Sequence, residues 1–235
     1  MRGTSGPMRV SPASPGHPVA GAFIEAAVQA GHLASRDLNG RDQVGAGWVD
    51  LNVVDGARQS AADGYLATLP VNPPPLPTPD NGFGIGVAVT APRSRGTVQL
   101  RSPEPWVAAL IDPRFLADPL DLAVLERGLE AAREIAAAPA LAAWDATEVF
   151  PAGMAAGQAG RRAFLRAAVT SYFHPVGTCR LGSDPASVVD LDLRVRGIDG
   201  LRVADASVMP SVPTANTNAT VLAIAERAAE MIAAR

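Results

Sequence analysis

The chain is poor in several residue types, and each shortage removes a class of function. Cysteine occurs once in 235 residues, at Cys179. That excludes an intramolecular disulfide framework and any CxxC metal site, and Cys179, with no base beside it in sequence, reads as a buried structural thiol. Only three histidines occur, scattered and without a close carboxylate pattern, so no metal-ligand spacing is present. Basic residues never run beyond the pair Arg161-Arg162, and the net charge is −3. A nucleic-acid stripe and a polybasic membrane anchor are therefore not expected. No apolar run approaches the ~18–20 residues of a membrane span. The start does not read as a signal peptide, since Gly, Ser and Pro follow Arg2 and Glu25 interrupts the later apolar stretch. The expectation is a cytoplasmic protein with no nucleic-acid or membrane partner.

Aromatics are also few, at 5%, although the hydrophobic fraction is 48%. Alanine supplies much of that fraction, which points to a globular protein with small-residue helix packing. The length suits one large domain or two small ones. Trp106 and Trp144 read as pocket walls or core, with core favoured. Too few aromatics are present to assemble a cage for a quaternary ammonium.

Periodicity sketches the elements. Phe23, Ala26, Ala27 and Ala30 recur at helical spacing, and Gly31 offers a stop. A strand is expected over 47–54 and a short helix over 59–69. Six of the eleven residues from Pro70 to Asp80 are proline, which favours an extended connection and opposes regular structure. Beyond it, 83–90 and 96–101 read as an antiparallel pair across the turn-like Ala91-Pro92-Arg93-Ser94-Arg95. Leu122, Leu125, Leu129, Ala132 and Ala136 place one stripe on a helix over 120–138. A helix near 160–170 follows, then short strands over 187–194 and 201–204. A final helix over 218–234 is expected to turn Val221, Leu222, Ala225, Ala228, Ala229 and Ile232 one way.

Few stretches carry chemistry. Gly82-Phe83-Gly84-Ile85-Gly86 fails the dinucleotide fingerprint, because Val87 stands where the third glycine belongs and the run precedes a strand pattern. A P-loop and a GxSxG elbow are also lacking. What stands out is Ser171-Tyr172-Phe173-His174-Pro175-Val176-Gly177-Thr178-Cys179-Arg180, a histidine among rigid and small residues. Asn216-Thr217-Asn218-Ala219-Thr220 then opens the last helix. An imidazole beside an amide near a helix N-terminus suits proton chemistry at a polarised group. On spacing alone, a hydrogen-bonded histidine beside a turn is the plainer reading.

Three blocks in order shift that balance: His174-Pro175-Val176-Gly177-Thr178, then Val203-Ala204-Asp205-Ala206-Ser207-Val208-Met209-Pro210, then Asn216-Thr217-Asn218-Ala219-Thr220. Together they resemble the C-terminal segment of the glucose–methanol–choline (GMC) flavin oxidoreductases. Arg2-Gly3-Thr4-Ser5-Gly6-Pro7, Asp37-Leu38-Asn39-Gly40 and Arg58-Gln59-Ser60-Ala61-Ala62 resemble a middle stretch of that family. Pro92-Arg93-Ser94-Arg95-Gly96 and Asp118-Pro119-Leu120-Asp121 resemble its substrate domain.

The resemblance implies FAD-dependent oxidation of a small-molecule alcohol. It makes His174 the general base and Asn216 the hydrogen-bonding partner of the substrate oxygen, as in choline-oxidising members. Asp205 and Ala206 would lie near the ribityl and pyrophosphate part of FAD, and Thr217 and Asn218 near the flavin ring. The implied fold is α+β, a GMC-type substrate domain (antiparallel sheet with helices) plus an incomplete FAD-binding α/β portion. Its parts are a middle-segment remnant over 1–69, a proline-rich junction over 70–82, a substrate-binding domain over 83–170 and a catalytic, FAD-contacting segment over 171–235. The family's glycine-rich FAD segment has no counterpart here, so the reading is a truncated member with impaired FAD binding. A further chain would supply the missing half. The alternatives are a non-catalytic remnant, a substrate-binding module, and, more narrowly, a lyase.

Overall fold

A computed structural model describes residues 9–13, 17–41, 43–54, 57–58 and 82–234, with the side chains of Ala57 and Ala152 left aside. The expected helix over 59–69 and most of the proline-rich junction lie outside these residues, as do the 2–7 and 59–62 parts of the resemblance. Two units are formed, one from 1–86 and 130–148 and the other from 87–129 and 149–235.

In the first unit, α1 spans Pro18–Gln29. His17 Nδ1 accepts from the Val19 N–H and Pro18 takes the first helical position, where its missing N–H costs nothing. The helix ends as its sequence suggests. Gly31 has φ +94°, its N–H donates to Val28 O, and the His32 N–H donates to Ala27 O. Only glycine enters that left-handed bend without strain. Ala26 packs with Ala138 and Leu141, the latter in α3 (Pro139–Ala142). Gln29 Oε1 accepts from the Ala140 N–H at 2.9 Å, so α1 satisfies a first-turn donor of a helix that has no side-chain cap of its own.

Sheet structure in this unit is fragmentary. β1 (Ser11–Pro12) pairs antiparallel with β2 (Asp50–Leu51), and β3 (Val53–Val54) with β4 (Ala57–Arg58). The strand expected over 47–54 is thus two dipeptides. The Asp37–Gly40 stretch is a turn in which Asn39 N–H donates to Asp37 Oδ1 and Asn39 Nδ2 donates to Asp50 Oδ2.

In the second unit the expected pairing of 83–90 with 96–101 does not form. Residues 82–96 hold no strand. β5 (Thr97–Gln99) pairs instead with β6 (Leu110–Asp112), in register Val98 with Ile111. The cause is the next link in the chain. Asp121, in the first turn of α2 (Pro119–Ala136), accepts from the N–H groups of Arg93 and Ser94 and from the Ser94 hydroxyl. Ser94 Oγ also accepts from the Asp118 N–H at 3.0 Å. Residues 92–94 are therefore tied to the start of α2 and unavailable for a tight hairpin. Asp118 Oδ1 accepts from the Leu120 N–H and Pro119 opens the helix, a strong start signal.

Leu122 and Leu125 of α2 pack with Leu116 and with Leu165 of α4 (Gly157–Ala168). Glu126 and Arg162 bridge the same two helices at 2.9 Å. A separate core joins Val189, Leu193, Val208 and Ala228, with Leu181, Val195, Val203 and Ile224 against it. Here 187–194 and 201–204 are not strands. They meet through a single bridge, Arg194 with Arg202, and through the Val203 N–H donating to Leu193 O. Asp190 prevents more, since Oδ1 accepts from the N–H groups of Asp192 and Arg194 and turns the chain.

The last helix, α5 (Asn218–Ala233), departs in part from expectation. Ile224 and Ala228 face the core, Val221, Leu222 and Met231 are half-buried, and Ala225, Ala229 and Ile232 are exposed. Val221, Leu222 and Ala228 thus lie inward as expected, while Ile224 takes the place expected of Ala225, Ala229 and Ile232. Neither tryptophan is core, Trp106 being 80% exposed, and Cys179 is half-buried where a buried thiol was expected. No helix among the described residues is long and apolar enough to cross a membrane.

Two outcomes follow. Ile224→Ala should cost about 2 kcal/mol in urea unfolding, whereas Ile232→Ala, at a side chain 56% exposed, should stay within about 0.5 kcal/mol. Equal losses would put the packed face elsewhere. The second concerns Asp121, which is only 3% exposed. Burial alone would push its carboxyl up, but the hydrogen bonds from Arg93 and Ser94, with the nearby Arg95 charge, bring it below the usual range. A carboxyl lowered by folding contributes fully above its unfolded value of about 3.9, and the contribution is lost as pH falls through the folded value. Asp121→Asn should cost about 1.5–3 kcal/mol at neutral pH and flatten the stability loss between neutral pH and pH ~2. Parallel stability–pH curves for the two proteins would exclude this role.

Candidate active site

His174 sits in irregular chain after α4, between Phe173 and Pro175. Proline fixes its own φ and drives the preceding residue toward extended backbone, so the His174 main chain is restrained. Gly177 then turns with φ +90°, a conformation that disfavours any residue with a Cβ. From there the chain binds the next block. Cys179 N–H donates to Ser207 O at 3.0 Å and Leu181 N–H to Val208 O at 2.9 Å.

That next block is a 3₁₀ turn over Ala206–Val208. Asp205 caps it by accepting from the N–H and hydroxyl of Ser207, both through Oδ1. Oδ2 has no hydrogen-bond partner among the described residues and Asp205 is exposed. Ala206 is half-buried, and Val208 and Met209 are buried. Val208 contacts the core that includes Ala228 and Ile224 of α5. The chain just after the His174 block is thus tied to the Asp205 turn by main-chain hydrogen bonds, and the helix that the Asn216 block opens shares a core with Val208.

Thr217 is buried at the start of α5 and makes no side-chain capping bond. Its carbonyl accepts from the Val221 N–H at 2.9 Å, while the first-turn N–H groups lack an intrahelical partner by the geometry of any helix. This end of α5 therefore carries the positive pole of the helix dipole without a side-chain oxygen to blunt it. Asn216 and Asn218 flank it and are exposed.

The half-buried His174 ring makes no hydrogen bond among the described residues, and neither does the Asn216 amide. The ring meets Tyr172 in a T-shaped contact with centroids 5.1 Å apart. His174 and Asn216 are not joined directly.

Two clefts of this unit, each about 320 Å³, are lined by residues of the 182–200 loop, with Asp190 and Arg196 common to both. Neither includes His174 or Asn216. A polar lattice runs through this loop and the adjoining Arg180. Arg180 holds Asp184 through two bonds of 2.8 Å, and this pairing keeps the Asp184 carboxyl far below its ordinary range. Arg196 donates to Ser187 Oγ and Gly182 O. Spacing could not have revealed this lattice, whose members are ordinary loop residues. No cluster of His, Cys, Asp and Glu among the described residues is suited to a metal ion.

A profile of the family described as GMC oxidoreductase matches residues 92–225. Choline oxidase of Arthrobacter globiformis is 46% identical over 160 residues, covering 66% of this chain and 29% of that protein. An alcohol dehydrogenase [acceptor] of Pseudomonas putida is 42% identical over 151 residues, covering 64% and 27%. The chain spans about three tenths of the length of such curated relatives. Among solved structures, the fold resembles pyridoxine 4-oxidase from Mesorbium loti with a TM-score of 0.83 at 24% identity, over 99% of this chain and 73% of that one. A formate oxidase of Aspergillus oryzae gives a TM-score of 0.57 at 29% identity, over 68% and 28%. Since the profile match runs through the Asp121 anchor, the His174 segment, the Asp205 turn and the start of α5, the chain belongs to the GMC oxidoreductase family.

Proposed function

We propose that this chain carries the base-bearing part of an FAD-dependent alcohol oxidoreductase. The observation that carries the reading is the His174 imidazole, free of hydrogen bonds among the described residues. It stands on a segment bound to the Asp205–Val208 turn, whose core also holds α5. Names of relatives such as choline oxidase and alcohol dehydrogenase support the reaction class.

The residues fit one part of the cofactor. Asp205 Oδ2, without a partner among the described residues, can accept from a hydroxyl such as one on a ribityl chain, with the adjoining half-buried Ala206 beside it. The uncapped end of α5, with Thr217 and Asn218, suits a ring that gathers negative charge. A charge placed there gains roughly 0.3–1 kcal/mol. Nothing in the sequence offers a GxGxxG turn for the pyrophosphate, so those contacts are assigned to a further polypeptide segment or chain. FAD, when bound, supplies the acceptor for the hydride that an alcohol carbon releases.

The chain's own residues do the proton work. Hydride leaves carbon readily only as the hydroxyl proton departs, and a neutral imidazole is the side chain best matched to that transfer near neutral pH. Neither ring nitrogen of His174 is engaged among the described residues, so one can receive the proton. Asn216 presents an amide that can donate to the developing alkoxide and cannot compete for the proton, a fixed-dipole stabilisation. A second reading, a substrate-binding module without turnover, follows from the missing phosphate turn, and flavin content separates the two.

Purified protein, alone or with a polypeptide that supplies a GxGxxG portion, should show the visible absorbance of bound flavin and bleach on adding an alcohol. His174→Ala should slow bleaching roughly 10²-fold or more, and Asn216→Leu up to about 10²-fold. Flavin-free protein under both conditions would favour the binding module. Bound flavin with unchanged bleaching in His174→Ala would remove His174 as the base.

A further inference from the structure

We propose that Tyr172 is the positioning residue of His174, holding the imidazole in its reactive orientation through ring contact where other histidine bases use a hydrogen bond. The inference rests on the reading of His174 as the base. A histidine that transfers protons is ordinarily oriented by a partner on its second nitrogen, a carboxylate or a carbonyl. Here no such bond exists among the described residues, and the aromatic partner is Tyr172, with centroids 5.1 Å apart and planes at 88°.

The local backbone is built to make that contact. Phe173, between the two rings, adopts φ +61°, which is costly for a bulky residue and persists only where its surroundings demand it. The Phe173 N–H donates to Ser171 Oγ at 2.9 Å, which braces the turn from one side. Pro175 restrains the His174 backbone from the other. The Phe173 side chain is 87% exposed, so packing of its own ring does not account for the strained conformation. The placement of its neighbours does. Tyr172 is itself 67% exposed, so it is no core residue, and its replacement leaves the fold intact.

The choice of an aromatic has a chemical consequence. A perpendicular ring pair is favoured beyond its buried area. A leucine offers only apolar bulk and supplies no such pairing. The hydroxyl of Tyr172 makes no hydrogen bond among the described residues, so phenylalanine should serve as well.

The test compares the full chain with Tyr172→Phe and Tyr172→Leu. In carbon–proton NMR spectra, the His174 ring signals, assigned by their loss in His174→Ala, should carry a ring-current shift. That shift should persist in Tyr172→Phe and vanish in Tyr172→Leu. This arm needs no flavin. In the flavin-loaded protein, Tyr172→Leu should lower the limiting rate of alcohol-dependent flavin reduction roughly 2- to 10-fold, with the half-saturating alcohol concentration unchanged and with rescue by Tyr172→Phe. His174 signals that ignore Tyr172→Leu overturn the contact. A normal rate in Tyr172→Leu beside a crippled His174→Ala overturns the positioning role alone. A normal rate in His174→Ala removes the base assignment and this proposal with it.

Discussion

Val208 has no exposed surface and packs among Val189, Leu193 and Ala228. Its carbonyl also accepts the N–H of Leu181, while its neighbour Ser207 accepts from Cys179. Through this one residue the His174 segment, the Asp205 turn and α5 are held in a common frame. Burying a valine side chain is worth about 1.5–3 kcal/mol, and the two main-chain bonds fix direction as well as distance. Every polar group assigned a role at the site hangs from this anchor, although none of them is part of it.

A second anchor works the same way at the start of α2. A nearly buried carboxylate is costly unless its lone pairs are filled, and Asp121 is filled by Arg93 and Ser94. The two sequence blocks that resembled a substrate domain, 92–96 and 118–121, therefore meet as one structural joint. Their resemblance to the family reports a folding constraint, whereas the His174 and Asn216 blocks hold the residues proposed for proton chemistry. The two kinds of block look alike in sequence. Only their partners tell them apart.

Much of the helical structure was legible. α1 announces itself by Pro18 and Gly31, α2 by Asp118-Pro119 and its leucines at helical spacing, and α5 by its position after Asn216-Thr217. These signals are local, since caps and periodicity act within a few residues. Strands were misread for the opposite reason. Alternation over 83–90 suggested a partner, but pairing is a long-range choice, and the Asp121 joint withdrew the adjacent turn from it. In α5, alanine hides the register. Ala225 and Ala228 read alike, and only the seat of Ile224 against Val208's core decides which face is inside.

The sequence by itself determined the family, the residue types of the candidate site and their order along the chain. Those depend on identities and spacings, which a linear string records in full. Tertiary structure decided which of these residues share a frame. Among the described residues it leaves the His174 imidazole free of hydrogen bonds and sets it against Tyr172, leaves one oxygen of Asp205 open, and gives α5 no side-chain cap from Thr217. Such facts depend on how buried valines and one buried carboxylate draw distant segments together, and neighbours of that kind are not written in the order of residues.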